Sequence, residues 1–293
     1  MLPGFVSDPR DVGLASITAS GRDKADAGRM STFDDRIPVA ELLTLDEISL
    51  TFGGVKALSS VSAAVEEGRI TAVIGPNGAG KTSLFNVISG FYRASGGRAT
   101  YAGRDLLQAP GHARAALGIA RTFQNIALFS GLSVLENIKL GAHAALKTNV
   151  GSAALYLGPA AREEDALTER IDRDILPALG LETLRDRPVS GLPYGAQKRI
   201  ELARAMVMDP RLIMLDEPFA GMPPAEKRRM GEAIRRYVAA GRCTALLIDH
   251  DMETVMGLCD HIVVLNFGRV IAAGAPEAVR AHPDVVDAYL GTG

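Results

Sequence analysis

A glycine at position 75, four residues, a second glycine at 80 and then Lys81-Thr82 form the stretch of this chain richest in chemical possibility. Glycines at such spacing let successive backbone N–H groups converge on an anion. A helix opening at the lysine adds its positive end. The whole run Gly75, Pro76, Asn77, Gly78, Ala79, Gly80, Lys81, Thr82 and Ser83 therefore reads as a cradle for the phosphates of a nucleotide. The Lys81 ammonium would meet the outer phosphates, and the Thr82 hydroxyl would ligate Mg²⁺. A helix end is worth about 0.3–1 kcal/mol per exposed anion. A lysine at roughly 4 Å is worth about 4 kcal/mol at an effective dielectric near 20. Lys81 is thus the residue on which phosphate affinity should depend most.

Asp216 and Glu217 supply the complementary chemistry. They follow Leu212-Ile-Met-Leu215, an apolar run that buries a strand, and they emerge at its C-terminal end, where open α/β sheets gather ligands. Asp216 would hold Mg²⁺ through water. Glu217 would orient or deprotonate the attacking water, a role whose loss costs about 10²–10⁴-fold in rate. Paired acids at a strand end are common, and it is their combination with the phosphate loop that makes the set specific. His250 ends a third apolar run, Cys243 to Ile248, whereas His112, His143, His261 and His282 have no such setting and read as surface or packing residues.

The elements that must position these groups alternate. Leu42–Leu50 and Arg69–Gly75 read as strands, the second continuous and buried. Gly80–Gly90 reads as a helix with Leu84, Val87 and Ile88 on one face and Gly90 as its C-cap. Arg211–Pro218 and Cys243–His250 are further strands, with a charged helical segment from Pro224 to Gly241 between them. This rhythm predicts a parallel sheet with crossover helices. From about 125 to 195 the pattern turns helical, interrupted by a Gly/Ala-rich connector, which predicts a helical subdomain inserted in the α/β core. Residues 1–40 lack any sustained period and read as a disordered extension, within which Met30 is a second candidate start.

Composition narrows the function classes. The 293 residues are 47% hydrophobic and 23% charged with a formal net charge of −2, so no basic excess exists to neutralise a nucleic-acid backbone. Cys243 and Cys259 lack metal-site spacing and read as small core residues in a reduced setting. No apolar run is long enough to span a bilayer, and the first residues do not read as a secretory signal.

With these residues in hand, the chain resembles the ATP-binding cassette (ABC) ATPases. The segment "SGLPYGAQKRIELARAM" is similar to that family's signature, "RTFQN" to its Q-loop, "LTFGG" to its adenine-stacking turn and "LLIDHDM" to its switch histidine, all in family order from about 42 to 290. The resemblance implies a P-loop α/β core with a mixed or parallel sheet and an α-helical subdomain over 41–293. It implies ATP and Mg²⁺ as ligands, Phe52 stacked on adenine, and Gln124 touching metal or water while facing a membrane partner. It also implies Glu217 and His250 as catalytic groups. The signature residues Leu192, Pro193, Tyr194, Gly195, Ala196 and Gln197 would act on the nucleotide of a second ATPase subunit, in a head-to-tail dimer. Gly195 would open a helix whose buried face is Ala196, Ile200, Ala203 and Val207. Two positions depart from the family pattern. Pro193 replaces the signature serine, and Pro223 replaces an aspartate after the acid pair.

Several stretches, among them "GIARTFQNIALFSGLSVLENI" and the ending "HPDVVDAYLG", resemble the branched-chain amino acid importer branch. That resemblance implies a peripheral ATPase on the cytoplasmic face of the inner membrane, docked on two transmembrane permease subunits and served indirectly by a periplasmic binding protein. Closely similar chains serve urea or short-amide importers, and a soluble ABC protein acting on nucleic acid is the rival from another class.

Overall fold

A strand covered on both faces must be largely apolar along its length, and three segments fit that demand. They are β3 (Ile70–Ile74), β7 (Leu212–Asp216) and β8 (Thr244–Ile248), in which every residue is buried. The computed structural model describes residues 40–122, 128–142 and 159–290. Among these, β3, β7 and β8 join β6 (Ile119–Arg121), β9 (His261–Asn266) and β10 (Arg269–Gly274) in a six-stranded sheet of order β10-β9-β3-β8-β7-β6. All pairings are parallel except β9 with β10. A second, antiparallel sheet of order β2-β1-β4-β5 is built from β1 (Glu41–Phe52), β2 (Val55–Glu66), β4 (Gly96–Tyr101) and β5 (Arg104–Asp105).

The period of two along the central strands divides the interior. Val73, Leu212, Met214, Leu246 and Ile248 face a core shared with the antiparallel sheet and with α1 (Lys81–Ser89). Their alternates Ala72, Ile74, Ile213, Leu215, Ala245 and Leu247 face a second core. The helices packed into that core are α3 (Val134–Ala142), α4 (Pro159–Arg170), α5 (Leu176–Leu179), α6 (Tyr194–Met206), α7 (Pro224–Ala239) and α8 (Met252–Leu258). A π-turn over Ile171–Ile175 joins α4 to α5. The chain closes with α9 (Pro276–Arg280) and α10 (Pro283–Leu290). The expected connector between α3 and α4 and the extension before residue 40 lie outside the described residues. Both cysteines are buried in the second core, where burial pushes their thiols up to about 12.

Local chemistry fixes the helix ends. Ser133 and Glu136 form a capping box at α3, the Ser133 N–H donating to Glu136 Oε2 at 2.7 Å and the Glu136 N–H to Ser133 Oγ at 3.2 Å. Gly90 ends α1 in the left-handed conformation, as the sequence predicts. The last carbonyls of α1 are then capped from the short helix α2 (Gly111–Arg114). There the buried Arg114 guanidinium donates to Val87 O at 2.6 Å, to Ile88 O, and to Ala109 O at 3.2 Å. Removing this cap takes the charged donor from the Val87 and Ile88 carbonyls, leaving Val87 O the Gly90 N–H at 3.2 Å. The Arg114→Met variant is expected to lose about 1–3 kcal/mol of unfolding free energy in urea titrations.

Candidate active site

The phosphate loop leaves the C-terminal end of β3 and enters α1 under tight backbone restraint. At Gly75 (φ +148) an added Cβ would stand 2.0 Å from the Leu265 carbonyl oxygen. At Gly80 (φ +101) it would meet the Ala57 carbonyl at 2.8 Å. The Gly268 N–H donates to Ala79 O at 3.0 Å, so the β9–β10 hairpin holds the far side of the loop. Gly80 caps α1 with no side chain, which leaves the helix N-terminus to the loop itself. The Lys81 ammonium folds back on this loop and donates to Gly75 O at 2.6 Å and Pro76 O at 2.9 Å. An ammonium has three donors, so one remains to meet an anion. Burial holds Lys81 below its ordinary value, and the neighbouring Glu217 carboxylate offsets part of that.

The acid pair arrives at the end of β7, one strand removed from β3. β8 lies between β3 and β7, with Val73 and Asp216 both in register with Ile248. The loop, the acid pair and His250 therefore leave the same edge of the sheet. Asp216 is 4% exposed; its N–H donates to Thr122 Oγ1 at 3.2 Å and its Oδ2 receives Arg121 Nη2 at 2.8 Å. Glu217 adopts φ +49, a left-handed conformation unusual for a side-chain-bearing residue, and its N–H donates to Ile248 O at 2.8 Å. The His250 side chain is 64% exposed at the end of β8, free of the core packing expected of a structural histidine. Phe52, at the end of β1, is 44% exposed and packs edge-on against Tyr92 with ring centroids 5.0 Å apart, an open face suited to stacking. Thr82 is exposed on the first turn of α1.

A hydroxyl and a carboxylate are hard oxygen donors of the kind Mg²⁺ accepts, and this ion is usually held by one or two carboxylates together with phosphate and water. The residues present fit that ion, Thr82 offering a hydroxyl and Asp216 a carboxylate. Among the described residues no group of three or more His, Cys, Asp or Glu forms a metal cage. Gln124, expected as a further ligand and catalytic group, lies outside the described residues.

The signature residues are placed elsewhere in the chain. Pro193 is the N-cap of α6, with Tyr194 and Gly195 in its first turn, one residue earlier than the expected start. Ala196, Ile200, Ala203 and Val207 are buried as predicted. Gln197 Nε2 donates to Leu192 O at 2.9 Å. An added Cβ at Gly195 would stand 1.4 Å from Glu226 Oε2, so α6 and α7 meet there at their first turns.

Three residues of the site escape sequence reading. Asp249, 1% exposed, accepts the N–H groups of Phe219, His250 and Asp251 at 3.2, 2.8 and 2.9 Å, which ties the turn after Glu217 to the His250 turn; burial holds its carboxyl above the ordinary range. Arg121 is the partner of Asp216. Tyr289 on α10 has its phenol pushed up by burial, an effect that the Gly75 backbone N–H partly offsets. Only Asp249 carried a local signal, an acid directly before the histidine.

Comparison with known proteins agrees with this arrangement. Residues 58–220 match the ABC transporter family, and residues 269–293 match a family described as branched-chain amino acid ATP-binding cassette transporter. The high-affinity branched-chain amino acid transport ATP-binding protein LivG of Salmonella typhimurium is 43% identical over 85% of this chain and 98% of its own length. The corresponding protein BraF of Pseudomonas aeruginosa is 40% identical over the same shares. A crystal structure of an ABC-transporter cassette in an ADP conformation superposes with a TM-score of 0.75 at 33% identity, covering 86% of this chain and 99% of that one. A nucleotide-free cassette gives 0.73 at 33% identity, over 85% and 99%.

The loop geometry discriminates between its glycines. Gly75→Ala drives a methyl group into a backbone carbonyl and is expected to abolish binding of a fluorescent ATP analogue. Gly78→Ala has open space around the new carbon and faces only the left-handed strain of about 1–2 kcal/mol, so it should retain measurable binding.

Proposed function

The chain belongs to the ABC transporter family, and on that premise we propose that it is the ATP-hydrolysing peripheral subunit of an importer for branched-chain amino acids. The likeness to LivG and BraF along nearly their whole length carries this reading. Residues 41–293 then form one ABC domain, with about 125–195 as its helical subdomain and 1–40 as an extension. Two such ATPase subunits, alike or unlike, dock on two transmembrane permease subunits at the cytoplasmic face of the inner membrane. A periplasmic binding protein delivers the substrate from the far side. Among the described residues no helix is long and apolar enough to cross a membrane.

Each residue's part follows from its position. Phe52 offers its exposed face to adenine. The N–H groups from Gly75 to Ser83 and the third Lys81 donor take the phosphate oxygens. Thr82 and Asp216, with Gln124, would hold Mg²⁺, which neutralises phosphate charge. Glu217, at the end of β7 and within electrostatic reach of Lys81, orients the attacking water and takes its proton. His250, held by the Asp249 bond to its N–H, presents its ring to the outer phosphate. The first turn of the partner's α6, from Leu192 to Gln197, closes the site from across the dimer.

In a strain lacking the gene, expression of this chain with its permease genes is expected to restore ATP-dependent uptake of radiolabelled leucine, isoleucine or valine. Restored uptake of urea or a short amide in place of these would reassign the substrate. Lys81→Ala should lose ATP binding at least a hundredfold in equilibrium titrations. Glu217→Gln should bind ATP normally, lose 10²–10⁴-fold in turnover (roughly the worth of a general base), and elute as a dimer with ATP. Turnover equal to that of the unaltered protein would remove Glu217 from the chemistry.

A further inference from the structure

Asp216 carries a negative charge that is 5% exposed at the side chain, in a site that the reading above loads with metal only when nucleotide arrives. A carboxylate so far from water must either bind a proton or keep a positive partner. The structure supplies the partner. Arg121, at the end of β6 and 10% exposed, places Nη2 2.8 Å from Asp216 Oδ2. Nη1 of the same guanidinium donates to Asn86 Oδ1 and to Ser89 Oγ, both at 2.7 Å. The Ser89 hydroxyl is itself oriented by donation to Phe85 O at 2.7 Å, which turns its lone pairs toward the arginine. The Phe85 and Phe91 rings each lie 5.7 Å from the guanidinium carbon.

The strand pattern explains why these groups meet. Ile119 and Leu212 both face the core that contains α1. The period of two then aims Arg121 and Asp216 at that same helix. α1 thus presents Lys81 and Thr82 at its first turn and the Asn86–Ser89 grip on Arg121 further along. A guanidinium stays charged at any accessible pH, and its planar fork can hold a carboxylate and two further acceptors at once.

We infer that Arg121 is the resident counter-ion of Asp216, a positioning residue that neutralises the carboxylate and fixes its direction between turnovers. Free Mg²⁺ is thereby kept from an empty site and enters with the triphosphate. The inference rests on the reading of Asp216 as a metal ligand. A purely structural brace would share the same contacts without altering metal affinity, and this separates the two.

The test uses Mn²⁺ as the probe, followed by electron paramagnetic resonance with the full chain. Nucleotide-free protein is expected to bind Mn²⁺ weakly. Arg121→Gln should tighten that binding at least tenfold, and the double variant Arg121→Gln with Asp216→Asn should return it to the weak value. Unchanged Mn²⁺ affinity in folded Arg121→Gln overturns the inference. Should that variant fail to fold, Arg121→Lys is the arbiter. Its single ammonium cannot span Asn86, Ser89 and Asp216 together, so Mn²⁺ should bind at least threefold more tightly, and no change there overturns the inference equally. The parent reading is tested separately by adding ATP. If Asp216→Asn alone binds Mn²⁺ and ATP together as well as the unaltered chain does, Asp216 is no metal ligand and that reading fails first.

Discussion

The backbone at Gly75 passes so close to the Leu265 carbonyl that no side chain fits between them. Everything downstream depends on that approach. It fixes the direction in which the chain leaves β3, and with it where α1 begins and where Lys81 stands. The restraint is distributed: the Gly268 N–H holds Ala79, the Ser59 N–H holds Gly268 at 2.8 Å, and Ala57 closes on Gly80. Both sheets therefore contribute to a loop that has little freedom left to lose when a phosphate arrives. Binding and catalysis gain from groups whose ordering is complete before the ligand enters.

The second constraint is charge at the edge of an apolar sheet. Apart from the buried hydroxyls of Thr71 and Thr244, the central strands are hydrocarbon up to their C-terminal ends, where Asp216, Asp249 and then Glu217 and His250 appear in close succession. A carboxylate there is costly unless its oxygens are satisfied, and the chain satisfies the buried ones in different ways. Asp249 is surrounded by backbone donors from the two turns it joins, which makes it a structural staple between the acid-pair turn and the histidine turn. Asp216 is met by a full positive charge brought from β6. Asp249 is thus engaged at both oxygens by backbone N–H groups, whereas Asp216 is held by its arginine at Oδ2 alone.

What could be read from the sequence was what is local. The phosphate loop, α1 with its glycine cap, the buried parallel strands and the inward face of α6 are each specified within about a dozen residues, and each stands where its pattern placed it. The antiparallel sheet was only half legible. β1 was readable over Leu42–Leu50, but β2 carries small residues, and its pairing with β1 is broken by register shifts at several points, so no clean alternation survives. Arg121 gave no signal at all, since its value lies in Asn86, Ser89 and Asp216, which are 35, 32 and 95 residues away. The close approach of Glu226 to Gly195 is hidden for the same reason. Gln124, which only the family resemblance assigned, falls outside the described residues.

The proline at position 193 shows how a motif can change without losing its scaffold. A serine there would ordinarily cap α6 through its hydroxyl. Pro193 has none, yet its carbonyl accepts the Ala196 and Gln197 N–H groups at 2.9 and 3.1 Å, and its ring fixes φ at −55°, so the helix starts in register. Tyr194 packs over Gly221 and Glu226 over Gly195, which joins this first turn to the segment that follows the acid pair and carries the second departure, Pro223. Both departures thus sit at starts of helices whose first turns touch. At both positions the helix starts through backbone N–H groups received by the proline carbonyl, and the close approach of Glu226 to Gly195 joins the two starts.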